Sequence, residues 1–226
     1  MSPEVAASRK NRILLKDQTY QSIKHEILTG VLEEGALLSE RFLAEKFSIG
    51  KAPVRDAVAR LCSEGYLSIV PQRGMLVRGF SVKDMIDTFE LRVLIEPSIV
   101  AGLSGKLDAN TQSSLEEILN QQAIHAEAQA VEEFIVQDLQ FHMQLANAYG
   151  NREISKVMER NCELVFRSLF TALNGQPDRL QLALNDHRAI YQSLCDSDTS
   201  QAVTRITRHI KSTKSLILNL SAEAGH

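Results

Sequence analysis

The apolar period of this chain changes once, near residue 80, and the change sets two separate folding problems. Before it, short helical stripes end in an extended run; after it, every stripe is long and helical. Tyr20, Ile23, Ile27 and Leu28 share one helical face that stops at Gly30, a residue that accepts positive φ without a Cβ clash. Ser39 can cap a second helix with Glu40 in its first turn, and Leu43 and Phe47 supply its buried side. After the turn Ser48-Ile49-Gly50-Lys51, the pattern puts Pro53 at a first helical position, and Val54, Val58 and Leu61 repeat until Gly65. Leu67 and Ile69 then alternate with polar neighbours, Pro71-Gln72-Arg73-Gly74 turns the chain, and Leu76-Val77 extends again. Three helices followed by a hairpin give a winged helix-turn-helix over 17–79. Residues 1–16 are polar without a sustained period and read as a mobile, slightly basic arm.

The boundary falls at Gly79-Phe80-Ser81, with Ser81 able to cap the next helix. From there the reading is an all-α six-helix bundle over 80–226, with helices at roughly 81–104, 108–130, 131–149, 151–173, 177–196 and 199–221. The fold class is therefore mainly α. Charge divides the same way: residues 1–79 carry 12 Lys+Arg against 9 Asp+Glu, the remainder 13 against 19, so a +3 module is joined to a -6 one. A basic module beside an acidic one fits a nucleic-acid binder with a separate domain. No run approaches a membrane span and the start lacks an apolar signal core, which points to the cytoplasm and away from a membrane partner. Cys62, Cys162 and Cys195 are odd in number and far apart, without CxxC spacing, and read as buried reduced thiols.

Two groups of residues carry chemistry. In a helix-turn-helix the second helix enters the major groove N-terminus first. That end here is Gly50-Lys51-Ala52-Pro53-Val54-Arg55, with Lys51 and Arg55 on one face, opposite the Val54/Val58/Leu61 stripe. Arg55 can take a guanine edge or a phosphate, Lys51 either one, and Arg41 a phosphate. Arg73 and Gly74 form a wing tip able to approach the minor groove. In the second half, Asp138 and His142 lie four apart on one helix, and His187 and His209 on two others. An Asp-His₃ set on facing helices suits a divalent ion such as Zn, Ni, Mn or Fe.

The segments Ile27-Leu28-Thr29-Gly30, Gly35-Ala36-Leu37-Leu38-Ser39-Glu40, Leu43-Ala44-Glu45-Lys46-Phe47, Pro53-Val54-Arg55-Asp56-Ala57-Val58 and Glu64-Gly65-Tyr66-Leu67, ending in Arg73-Gly74, resemble the GntR family of bacterial regulators. The resemblance implies DNA contacts by Arg41, Lys51, Ala52, Pro53, Arg55 and Gly74. Gly50-Lys51 departs from the family's Ser or Thr followed by Arg, so no operator sequence carries over. Residues 81–221 resemble the FCD effector domain of the FadR subfamily through Leu91-Arg92-Val93-Leu94-Ile95-Glu96, Asp138-Leu139-Gln140-Phe141-His142, Asp186-His187-Arg188-Ala189-Ile190 and Arg208-His209-Ile210. That implies a metal held by Asp138, His142, His187 and His209, and a homodimer on a palindromic operator. A small carboxylate effector would complete the coordination and meet Arg92; the other reading of Arg92 is a salt bridge to Glu96. The whole reads as a ligand-responsive regulator, a repressor and no enzyme. Two alternatives stay open: a metal with only a structural part, and a metal-dependent hydrolase with an accessory DNA-binding module.

Overall fold

In the computed structural model, residues 3–79 and 81–224 are described, with only the backbone given at 3–14, 177 and 221–224. The chain separates into two compact units, 1–79 and 80–226; Phe80, in the expected boundary, lies outside the described residues.

The first unit runs α1 (Pro3–Leu28), β1 (Leu37–Leu38), α2 (Glu40–Lys46), α3 (Lys51–Ser63), β2 (Leu67–Val70) and β3 (Gly74–Val77). The backbone of the segment expected as an arm is helical from Pro3 onward; Met1 and Ser2 lie outside the described residues. Proline is tolerated in a first turn, and the good helix formers after it extend a helix whose nucleation the packed C-terminal half has already covered. Gly30 ends the helical run at φ +76°. Ser39 caps α2, its side chain accepting from the Phe42 N–H. Pro53 is the third residue of α3, not the first, because Gly50 is the N-cap. The first four helical N–H groups have no partner in the helix, so proline is accepted at either place.

Leu37–Leu38 forms a strand that two residues of apolar sequence do not announce. It pairs antiparallel with β3, giving the order β1-β3-β2, with Leu38 opposite Met75 and Leu67 opposite Val77. Gly74 stands where the strands meet, at φ +117°, and a Cβ there would lie 2.2 Å from the Leu38 carbonyl oxygen. Glycine is therefore required by the sheet itself. Gly74→Ala is expected to cost at least about 2 kcal/mol, combining a glycine-only backbone region with a backbone clash. Thermal unfolding of the full chain checks this; an unchanged midpoint would show that the wing relaxes freely.

A polar contact joins α1 to the end of α3. The buried Lys24 donates to the Tyr20 hydroxyl at 2.6 Å, which donates to Glu64 Oε2 at 2.5 Å. Arg60 bonds Glu64 at 3.0 Å while its guanidinium lies 3.7 Å from the Tyr20 ring centroid. In the same unit Ile23, Ile27, Leu43, Val54, Leu61 and Leu67 are all fully buried.

The second unit is six helices: α4 (Val82–Leu103), α5 (Ala109–Glu127), α6 (Val131–Tyr149), α7 (Arg152–Leu173), α8 (Pro177–Cys195) and α9 (Thr199–Ala224). Ser81 and Asp84 form a reciprocal capping box at the start of α4. α4 packs on α9, α6 and α7, and α5 on α6 and α8, around Phe89, Leu115, Phe134, Phe141, Leu145 and Ile206. The cysteines are free thiols, but Cys195 is exposed and the other two only half-buried, so they are not core residues. No helix among the described residues is long and apolar enough to cross a membrane.

Candidate metal centre and nucleic-acid interface

α4 presents Phe89, Arg92, Glu96, Ile99, Val100 and Leu103 to the interior, so two charged residues lie on an apolar stripe. Beside them α6 offers Asp138 and His142 one turn apart, α8 offers His187 and α9 offers His209. All four are buried, and their ligand atoms lie within 4.8 Å of one another. His187 Nε2 is 3.5 Å from Asp138 Oδ1 and 3.1 Å from His209 Nε2; His142 Nε2 is 3.9 Å from Asp138 Oδ2.

Each imidazole meets an oxygen with its other nitrogen: His142 Nδ1 meets Glu96 Oε2 at 2.6 Å, His187 Nδ1 meets Gln122 Oε1 at 2.9 Å, and His209 Nδ1 meets Asp186 Oδ2 at 3.4 Å. A neutral imidazole that donates from Nδ1 keeps a lone pair on Nε2. In that tautomer three lone pairs and a carboxylate turn to one point, and His142 Nε2 is buried there without a hydrogen-bond partner. Phe141 stacks on His187, with ring centroids 4.5 Å apart, and fixes its plane. Burial pushes the His187 and His142 imidazoles below the ordinary histidine range, His187 strongly, with the neighbouring His209 the next cause for His187. Burial alone would raise the Glu96 carboxyl, but Arg92 and His142 outweigh it and hold it at about 2.

Arg92 forms the salt bridge to Glu96 that its spacing allows. Its Nε bonds Glu96 Oε1 at 2.5 Å, while its Nη2 is buried without a partner. It lines a cavity of about 70 Å³ together with Asp138, His209 and Arg179. The sequence does not single out Gln122 or Asp186 as partners of the cluster, and its spacing offers Glu96 only as a mate for Arg92. The available signal was polar residues on core stripes: Gln122 follows Leu115 and Leu119 at helical spacing. His25 is exposed and His125 half-buried, and neither belongs to the cluster.

In the first unit Arg41, Lys51, Ala52, Arg55 and Arg73 are exposed, and Pro53 and Gly74 half-buried. Arg55 is held near Glu40 at 3.3 Å and Arg41 by Glu45 at 2.8 Å. Both guanidiniums are more than two-thirds exposed, so these pairs contribute little and yield readily to a phosphate.

Residues 15–77 match the bacterial regulatory proteins of the gntR family, and residues 87–212, more than half of the chain, match the FCD domain. The chain is a GntR-family transcriptional regulator with an FCD domain. This regulator is 24% identical over 199 residues to the HTH-type transcriptional repressor RspR of Escherichia coli, covering 87% of this chain and 86% of that one. It is 25% identical over 184 residues to the gluconate operon transcriptional repressor of Bacillus subtilis, covering 78% and 74%. The solved structure of E. coli McbR/YncC shares its fold, with a TM-score of 0.72 at 20% identity over 91% of this chain and 97% of that one. Regulators of this family bind operator DNA and are not enzymes, which removes the hydrolase alternative.

Proposed function

We propose that the regulator is a cytoplasmic, homodimeric repressor whose C-terminal unit binds one divalent metal through Asp138, His142, His187 and His209, and senses a small organic acid in the adjoining cavity. The observation that carries this reading is the 3.1 Å approach of the His187 and His209 Nε2 atoms while both Nδ1 atoms face acceptors. Two lone pairs so placed repel unless a cation lies between them and the Asp138 carboxylate. Zn, Ni, Mn and Fe all suit imidazole and carboxylate donors. Such an ion would polarise a bound carboxylate, and Glu96, Gln122 and Asp186 hold the imidazoles with Nε2 inward.

The unpartnered Nη2 of Arg92 favours a sensory over a purely structural site, since a planar guanidinium matches a carboxylate. A relative that represses a gluconate operon accords with an acid effector. On the DNA side, Lys51, Ala52, Pro53 and Arg55 would enter the major groove, Arg41 a phosphate, and Arg73 with Gly74 the wing contact. Two copies on a palindrome would respond to effector through its unequal affinity for two arrangements of the dimer.

The test is elemental analysis of the purified chain beside an Asp138→Ala/His142→Ala variant, with operator binding followed in parallel. We expect roughly one divalent ion per chain, as one four-ligand site holds one ion, lost in the variant while DNA binding persists. Absence of metal from both proteins would sink the metal reading.

A further inference from the structure

The cavity beside the histidine cluster has a second cation. Arg179, in the first turn of α8, is exposed, lines the same cavity as Arg92, and its guanidinium has no hydrogen bond or ion pair among the described residues. Arg92 is 4% exposed and lines the same space, and its Nη2 is buried without a partner. We infer that the pocket selects a doubly anionic acid of about four or five carbons, with one carboxylate on Arg92 and the other on Arg179. This rests on the reading above that the cavity takes an organic acid.

Charge is the first argument. Arg92 and Glu96 cancel, and Asp186 is matched by Arg208 at 3.1 Å. A divalent ion on Asp138 leaves one positive charge and Arg179 adds another, so a dianion neutralises the site where a monoanion leaves it positive. Size is the second. A space of about 70 Å³ holds roughly five water positions at ~10–15 Å³ each, equivalent to ~150 Å³ of liquid, enough for a short diacid and too little for a long one. Hydrogen bonding is the third. Ser212 Oγ and Thr213 Oγ1 both donate to the His209 carbonyl at 2.9 Å, leaving only acceptor capacity for the cavity they line. They favour a ligand hydroxyl and disfavour a carboxylate, which directs the carboxylates to the two arginines. Leu173 and Leu216 give the carbon chain an apolar wall.

Calorimetry on the metal-loaded full chain tests this with butyrate, succinate, malate and adipate. Succinate and malate are expected to bind at least about tenfold more tightly than butyrate, the worth of one charge-assisted contact, with adipate excluded. Arg179→Gln should bring succinate to within about twofold of butyrate without changing metal content, and Arg179→Lys should keep part of the preference, retaining charge but not the fork. Equal affinity for mono- and diacids in the parent chain, or an equal loss of both in Arg179→Gln, overturns the assignment of Arg179 and leaves the acid-sensing reading in place. Silence from all four acids overturns this inference, and silence from gluconate as well overturns the acid-sensing reading itself.

Discussion

Glu96→Gln lowers the thermal midpoint of the C-terminal unit by roughly 10 °C or more, the equivalent of ~3–5 kcal/mol, the cost of removing one partner from a buried ion pair. The cause is what the substitution leaves behind. Arg92 is 4% exposed and its Nε is held by Glu96, so the neutral amide leaves a guanidinium charge in the interior without its bonded counter-ion, with only the more distant Asp138 to offset it. His142 Nδ1 loses its 2.6 Å carboxylate partner in the same stroke. Pairing the change with Arg92→Met separates charge from packing. If the loss arises from the stranded cation, the double variant is more stable than Glu96→Gln alone, because no unmatched charge remains. If the double variant is the less stable, the pair contributes through shape and the stranded cation is not the cause.

Arg55→Ala weakens operator binding at least about thirtyfold while leaving metal content intact. A base-edge or phosphate arginine contributes ~1–3 kcal/mol per contact, and a palindrome bound by two copies counts it twice. Little is recovered in the free protein, because the Arg55–Glu40 pair at 3.3 Å is exposed. Fluorescence anisotropy on a fragment selected from random DNA gives the affinity, and elemental analysis of the same preparation gives the metal. A fall in affinity confined to one base position marks Arg55 as a reader of sequence. A uniform fall with a shallower salt dependence makes it a phosphate contact. Concurrent loss of DNA binding and metal would instead mean that the chain had unfolded.

The helices were legible because their buried faces recur at three and four residues: the Val54, Val58 and Leu61 stripe lies fully inside. β1 was not, since two leucines have no alternation and acquire strand character only by pairing with Met75 and Leu76. The helix before residue 17 was missed for the opposite reason: it continues a packed helix and needs no stripe of its own. The four clustered residues were nameable from resemblance and spacing. Their supports were not, because Glu96 and His142 are 46 residues apart and Gln122 and His187 are 65 apart. Only tertiary packing brings such pairs together, and no local period encodes them. What local spacing did carry was the anomaly of Arg92 and Glu96 on the same face as Phe89 and Val100, a polar pair on a core stripe that asks for a partner.

The Tyr20–Lys24–Glu64–Arg60 contact has a consequence for signalling. Directional bonds, unlike interchangeable methyl groups, have no neighbouring minimum into which α3 could slide or roll against α1 without leaving a buried ammonium or hydroxyl unmatched. The reading helix is therefore a fixed type-face. In the proposed dimer an effector would have no purchase on the shape of either letter, and would act by changing the gap between the two.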